Sequence, residues 1–302
     1  MFRWNQLPGE PPMPPLNISY FRILTIAIGC VVGYTLLFCQ DSVGEKPRYT
    51  FGVVPQYEPQ TIYKAWKPLL TYLEETLDIE IELQGSPDIP TFEAMYFDGK
   101  YDFAYVNPWH AVHAYETLGY LPLLRDSKRS LFGIVVVSSN SAIRSINELN
   151  GKIMAFPAPN ALAATLMVKS ELSEIGLEFT EVYTQTHSSS YLNVIYGTAD
   201  AGTGVKGTFE AQDPKIKSQL RVIYETKHIK PHPITVRPNI LTPDNRDRFI
   251  QAVRDFAGSE IGRQSMELIP MSSPVNAEIA EYDEVKALHI ERYISESQSP
   301  NK

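Results

Sequence analysis

Between Tyr49 and Arg237 the apolar and polar positions repeat one unit: a short apolar strand, a polar mouth, then an amphipathic helix. Asp102 to Val106 reads as a buried strand that stops at Asn107, and Pro108 suits a first helical position. Ala111, Ala114, Tyr115 and Leu118 then fall at helical spacing. A second copy has a strand over Lys152 to Phe156, a turn over Pro157 to Asn160 and a helix from Ala161 to Ile175. A third runs from Thr184 to Tyr196, with Thr186-His187-Ser188-Ser189-Ser190 opening the helix. A strand that empties into a helix start leaves backbone N–H groups at the carboxyl edge of the sheet. Open α/β sheets bind ligands there, and the N–H groups favour anions. Three such mouths predict one cleft lined from two lobes.

The remaining pattern extends this α/β reading. Tyr49 to Val54 is a strand ending at Pro55, and Thr61 is a candidate N-cap for a helix through Leu77. Ile62, Trp66, Leu69, Leu70 and Leu73 form the apolar face of that helix, and Pro68 inside it implies a kink or a late start. Ile79 to Leu83 and Leu121 to Leu124 read as strands, and Pro90 to Phe97 as a short helix. The apolar, β-branched run Leu131 to Ser138 predicts a central strand. The turn Ser138 to Ser141 after it is the expected first crossing between lobes, and Lys230-Pro231-His232-Pro233 before Ile234 to Val236 the expected return. Residues 48–138 and 234–302 are thus expected to form one lobe and 139–233 the other. Thr242-Pro243-Asp244 opens a helix with cap and proline in the favoured order, and helical segments follow to about Ser295.

Ahead of this body, residues 1–22 are rich in proline and polar residues and are expected to be a disordered tail. The seventeen residues Ile23 to Cys39 carry no charge. Residues 23–40 therefore read as an N-terminal apolar helix, either an uncleaved inner-membrane anchor or a cleaved signal with Ser42-Val43-Gly44 at the cleavage position. Arg3 and Arg22 favour an exported body in both cases.

Composition narrows the function. With 43% apolar and 21% charged residues the chain is globular, and a net charge of −8 argues against nucleic acid as a partner. Residues 1–44 hold two arginines and two acidic residues, so the body keeps the whole acidic charge. Any anion must then be held by local dipoles and a few hydrogen bonds. Both cysteines, Cys30 and Cys39, precede the body, which excludes thiol chemistry there. No Gly-x-Ser-x-Gly or His-Glu-x-x-His motif points to an enzyme. His110 and His113 have no third ligand nearby in sequence, so neither a metal nor a cofactor is expected. Trp109 packs between lobes or stacks on an organic ligand, and Gly202-Thr203-Gly204 is too short for a nucleotide phosphate loop.

Several short segments together resemble a known family. These are Gly52-Val53-Val54-Pro55, Pro68-Leu69 with Tyr72-Leu73, and Gly99-Lys100-Tyr101-Asp102 followed by Tyr105-Val106-Asn107-Pro108. Further on come His187, Gly197-Thr198-Ala199-Asp200-Ala201 and Ile234-Thr235-Val236-Arg237. In this order they are similar to the substrate-binding proteins of phosphonate, phosphite and phosphate ABC transporters, a branch of the type II periplasmic binding proteins. The resemblance implies a two-lobe cleft that closes on a small oxyanion by hinge motion. It implies that Tyr105 donates its hydroxyl, His187 an imidazole N–H, and Asn160 and Ala161 backbone N–H groups. Tyr57 lies in the loop near the family's ligand, and Asn107 belongs to the matched segment. Three positions depart from the family: Ile89 follows Asp88 where a tyrosine is usual, Asn160-Ala161-Leu162-Ala163 replaces a hydroxyl-rich turn, and Lys206 stands near a usual acidic position. Ser188 and Ser189 either replace the lost hydroxyls or cap their helix, and Lys206 supplies positive charge or lies in a solvated loop. The implied function is solute capture for an ABC permease in the periplasm. The alternatives are presentation of the ligand to a receptor kinase, or binding of a different small organic ligand.

Overall fold

The computed structural model describes residues 45–294 apart from 267 and 289. The tail, the apolar run read as anchor or signal, both cysteines and residues 295–302 lie outside them. From Lys46 onward the described chain is one compact unit. Among the described residues no helix is long and apolar enough to cross a membrane.

The unit is built on two sheets. The first part of the chain supplies β1 (Arg48–Val53), α1 (Pro59–Leu77), β2 (Glu80–Gln84), α2 (Ile89–Phe97), β3 (Phe103–Tyr105), α3 (Pro108–Leu118) and β4 (Leu121–Asp126). The chain then crosses and supplies β5 (Gly133–Ser138), β6 (Ile153–Phe156), the π-helical turns Leu162–Met167 running into α4 (Val168–Glu174), and β7 (Thr180–Tyr183). These are followed by α5 (His187–Ile195), β8 (Ala201–Val205), α6 (Lys206–Glu210), α7 (Pro214–Lys217) and β9 (Leu220–Glu225). It returns as β10 (Ile234–Val236), α8 (Pro243–Gly258), α9 (Glu260–Ser265) and β11 (Pro274–Asn276), and ends in 3-10 turns at Ile279–Leu288 and Ile290–Tyr293.

The first sheet runs β11-β4-β10-β3-β1-β2 and the second β7-β6-β8-β5-β9. In each, parallel strands meet one antiparallel strand that arrives by a crossing: β10 beside β3, and β5 beside β8. Because β5 pairs with β8 and β9, the first crossing lies at residues 127–132 and not at Ser138 to Ser141. The lobe boundary expected at 138 therefore moves back. The Gly133–Val137 run is fully buried, as a central strand requires, but a buried run carries no mark of which sheet holds it. The chain passes back to the first sheet over residues 226–233, between β9 and β10.

The two crossings are tied to each other. Leu131 and Ile229 exchange backbone hydrogen bonds at 2.9 Å, and Gly133 N–H donates to Thr226 Oγ1 at 2.8 Å. Phe132 stacks on His228 with ring centroids 3.7 Å apart. The 3-10 turns at the end of the chain lie across this ribbon: Tyr282 donates to the Pro231 carbonyl and Lys230 N–H to Glu284.

Local details differ from the pattern reading in two helices. Helix α1 starts at Pro59, not after Thr61, with Glu58 in the cap position and making no side-chain cap. Pro68 sits within it, and the buried stripe Trp66, Leu69, Leu70 and Leu73 holds the helix on the sheet regardless. Each of these side chains contributes about 1.5–3 kcal/mol of burial, enough to offset the ~3 kcal/mol cost of an internal proline. The expected helix from Ala161 begins as π turns, where Leu166 N–H reaches back to Ala161 O. Gly133 makes room for that turn, since a Cβ on it would lie 2.0 Å from the Ala163 carbonyl oxygen. Trp109 joins Leu162, Leu166 and Met167 in an apolar cluster between the lobes.

Candidate functional site

The mouths predicted from the sequence meet in one crevice between the two sheets. Its first-lobe wall includes Val54, Ile89 and Asn107, and its second-lobe wall the Ala161–Ala164 turn and His187, with His232 from the return crossing beside them. The cavity measures about 10 Å³, room for about one water.

The second-lobe wall is built for hydrogen-bond donation. The first helical N–H groups after β6, those of Leu162, Ala163 and Ala164, have no partner among the described residues. The Ala161 N–H points back to the Ala158 carbonyl at 3.3 Å, whereas the Asn160 N–H, the other donor the resemblance implied, has no partner among the described residues. His187 is the first residue of α5, behind its cap Thr186, and is buried. The Val205 N–H donates to His187 Nδ1 at 3.4 Å, which assigns the ring proton to Nε2. Burial pushes the His187 pKa down to about 4, so the ring is a neutral donor near pH 7. Gly204 lets α5 lie this close to β8: a Cβ there would be 1.8 Å from the Tyr191 hydroxyl.

Tyr105 and Tyr57 of the first lobe stand next to the lining residues His232 and Gln56 and do not themselves line the crevice. Tyr105, at the end of β3, is buried against Trp66 (4.9 Å between ring centroids) and stacks on His232 (5.2 Å, 20°). Burial raises its pKa well above the usual phenol value, and Arg129 on the first crossing pulls against that. Tyr57, in the loop after β1, is pushed up to about 12 by burial, again opposed by Arg129. His232 is buried, and its pKa falls to about 3 through burial and then the nearby His110 and His187.

Other candidates have structural tasks. Asn107 caps α3, its Oδ1 accepting the His110 N–H at 2.8 Å, while it also lines the crevice. Asn160 is fully buried and donates from Nδ2 to Glu93 Oε2 at 2.6 Å. Ser189 belongs to the α5 cap, with its N–H donating to Thr186 Oγ1 and its Oγ accepting from it. Ser188 is half-buried in the same first turn. Lys206 pairs with Glu210 at 3.3 Å and Glu225 at 3.8 Å and does not line the crevice.

Pattern reading missed Glu93, His232 and Arg129. Glu93 had a signal: Ile89, Phe92, Glu93 and Tyr96 make up the buried stripe of α2, a carboxylate among apolar positions at helical spacing. His232 is fixed between two prolines on the return crossing. Arg129 sits in an exposed stretch with no pattern of its own.

The model of one family, described as the periplasmic substrate-binding protein of a phosphonate ABC transporter, matches residues 51–282. The chain belongs to this family. Similar solved structures include PhnD1 from Prochlorococcus marinus in complex with methylphosphonate, at 16% identity and a TM-score of 0.74, covering 82% of this chain and 99% of that one. Another is a binding-protein component of an ABC phosphonate transporter from Pseudomonas aeruginosa, at 15% identity and a TM-score of 0.70, covering 82% and 88%. A Xanthomonas citri protein bound to chloride ion follows at 17% identity and 0.67, covering 82% and 98%. The fold is that of type II periplasmic binding proteins, as the sequence resemblance implied. Family membership makes this a periplasmic substrate-binding protein, a class that binds small molecules for a permease rather than transforming them.

Proposed function

We propose that the crevice, which in its present closed form has room for about one water, widens to capture a small oxyanion of the phosphate or phosphonate type and releases it unchanged to an ABC permease. The observation that carries this reading is the set of donors on the second-lobe wall: three free N–H groups at Leu162–Ala164 beside the neutral His187 Nε2–H. Four hydrogen bonds to an anion at about 1.5–3 kcal/mol each are commensurate with the roughly 8 kcal/mol of a micromolar complex. The N-terminal dipole of the helix adds attraction for negative charge. Tyr105 and Tyr57 supply hydroxyls from the first lobe, and the Asn107 side chain stays with its helix.

A second reading keeps the crevice and changes the ligand. Ile89 and the turn Asn160-Ala161-Leu162-Ala163 stand where the resemblance implies hydroxyl-bearing residues. That favours a smaller or less highly charged ligand than a phosphonate dianion. A thermal-shift and calorimetric screen separates the two, using methylphosphonate, phosphite, phosphate and chloride against neutral organic solutes. Ligand at a hundred times its Kd stabilises by about 2.7 kcal/mol, which is roughly 5–10 °C for a body of this size. Shifts with the oxyanions support the first reading. Shifts with neutral solutes alone refute it.

A further inference from the structure

Glu93 is buried in the α2 stripe, and each of its carboxylate oxygens has a partner on a different element. Oε1 lies 2.8 Å from His110 Nε2 on α3, and Oε2 accepts from Asn160 Nδ2 at 2.6 Å. Glu93 and His110 belong to the first lobe, and Asn160 to the turn after β6 in the second. Asn160 precedes the free N–H groups of Leu162–Ala164 by two to four residues. We propose that Glu93 is a positioning residue of the crevice: through Asn160 it latches the donor turn of the second lobe against the first lobe.

A buried carboxylate is costly unless each of its oxygens finds a hydrogen-bond partner. Here that condition holds only with the lobes together, because half of the carboxylate's partners come from the far side. The bond involves protein groups alone, so it operates whatever the ligand is. Closure also carries a cost. Asn160 Oδ1 and His110 Nδ1 are buried with no partner, and separating the lobes returns Asn160 Oδ1 to water. A charge-assisted bond gained and hydration lost at neighbouring atoms are opposing effects of similar size. The latch is therefore poised rather than locked, and a ligand's preference for the closed crevice decides its population. What the donor turn binds rests on the function proposed above; the latch itself does not.

Hydrogen exchange on the full chain, without ligand, tests the latch. The wild type is expected to protect the hydrogen-bonded amides in residues 89–97 and 165–168, on the two sides of the Glu93–Asn160 bond. Glu93→Gln sets an amide donor against the Asn160 donor, and Asn160→Asp sets two carboxylates together. Each is expected to speed exchange on both faces by about tenfold or more. The double variant reverses the polarity: the α2 amide donates to the second-lobe carboxylate while its oxygen still accepts from His110. Its exchange is expected to return toward wild type, with all melting temperatures recorded alongside. Rapid wild-type exchange on both faces overturns the proposal, even if a single variant does not fold. A double variant no slower than the singles also overturns it. Failure of every oxyanion to bind would refute the proposed ligand and leave this exchange result standing.

Discussion

Acid should unfold this protein through the histidines of the crevice. His187 and His232 are held neutral, with pKa values lowered to about 4 and about 3 from an ordinary 6.5, chiefly by burial. Their depressed folded values mean that the unfolded chain binds protons that the native one does not. The stability they contribute is present above pH 6.5 and is lost as the pH falls toward 4 and 3. Between pH 7 and pH 5 each histidine should cost about 2 kcal/mol, or about 4 kcal/mol together. The loss is a large share of the 5–15 kcal/mol typical of a whole domain. Denaturant unfolding at pH 7, 6 and 5 measures it, alongside a His232→Gln variant that removes one titrating group. The wild type should lose about 4 kcal/mol between pH 7 and pH 5, and the variant about half of that. A wild-type curve flat from pH 7 to pH 5, or a variant curve parallel to it, refutes the reasoning.

Other tests address single residues. His187→Ala should weaken oxyanion binding about 10–150-fold by calorimetry, the equivalent of one charge-assisted bond of roughly 1.5–3 kcal/mol. Lys206→Ala should change affinity less than about twofold, because its ammonium is already held by Glu210 and Glu225. A tenfold loss would mean that the lysine turns into the crevice. Gly133→Ala should lower stability by at least about 1–3 kcal/mol and weaken binding as well, since the clash is with backbone of the donor turn. A melting temperature within 1–2 °C of wild type, roughly, would show that the turn yields freely. Thr242→Ala removes the side-chain acceptor for the Asn245 N–H and should cost about 1 kcal/mol, or 2–4 °C.

Strand and helix mouths were legible because periodicity, caps and prolines are local signals. Thr242 capping α8 and Thr186 capping α5 are the clearest cases. The partners of a strand are not local, and β5 shows this: its run of valines says buried, while only pairing with β8 and β9 assigns it to the second sheet. The π turns at Leu162–Met167 were illegible for a similar reason. Their sequence suits an ordinary helix, and the widened turn comes with a close approach to Gly133. Asn107, Ala161 and His187 line one crevice, while Tyr105 stands behind His232 and outside that lining. Glu93 lies at an apolar position of the α2 stripe, a local mark of burial, but its partner Asn160 belongs to the opposite lobe and has no local signal. Arg129 acts on Tyr57 and Tyr105 from a segment without periodicity, so sequence spacing could not connect them.

The paired crossings have a mechanical consequence. Two single connectors would let one half of the molecule swivel about either of them. Here the connectors are stapled into a ribbon by the Leu131–Ile229 exchange and the Phe132–His228 stack. A swing of one connector must therefore carry the other with it, which keeps the two walls in register as they part. Reproducible alignment is what a permease needs if it recognises its loaded carrier by the relative pose of two surfaces.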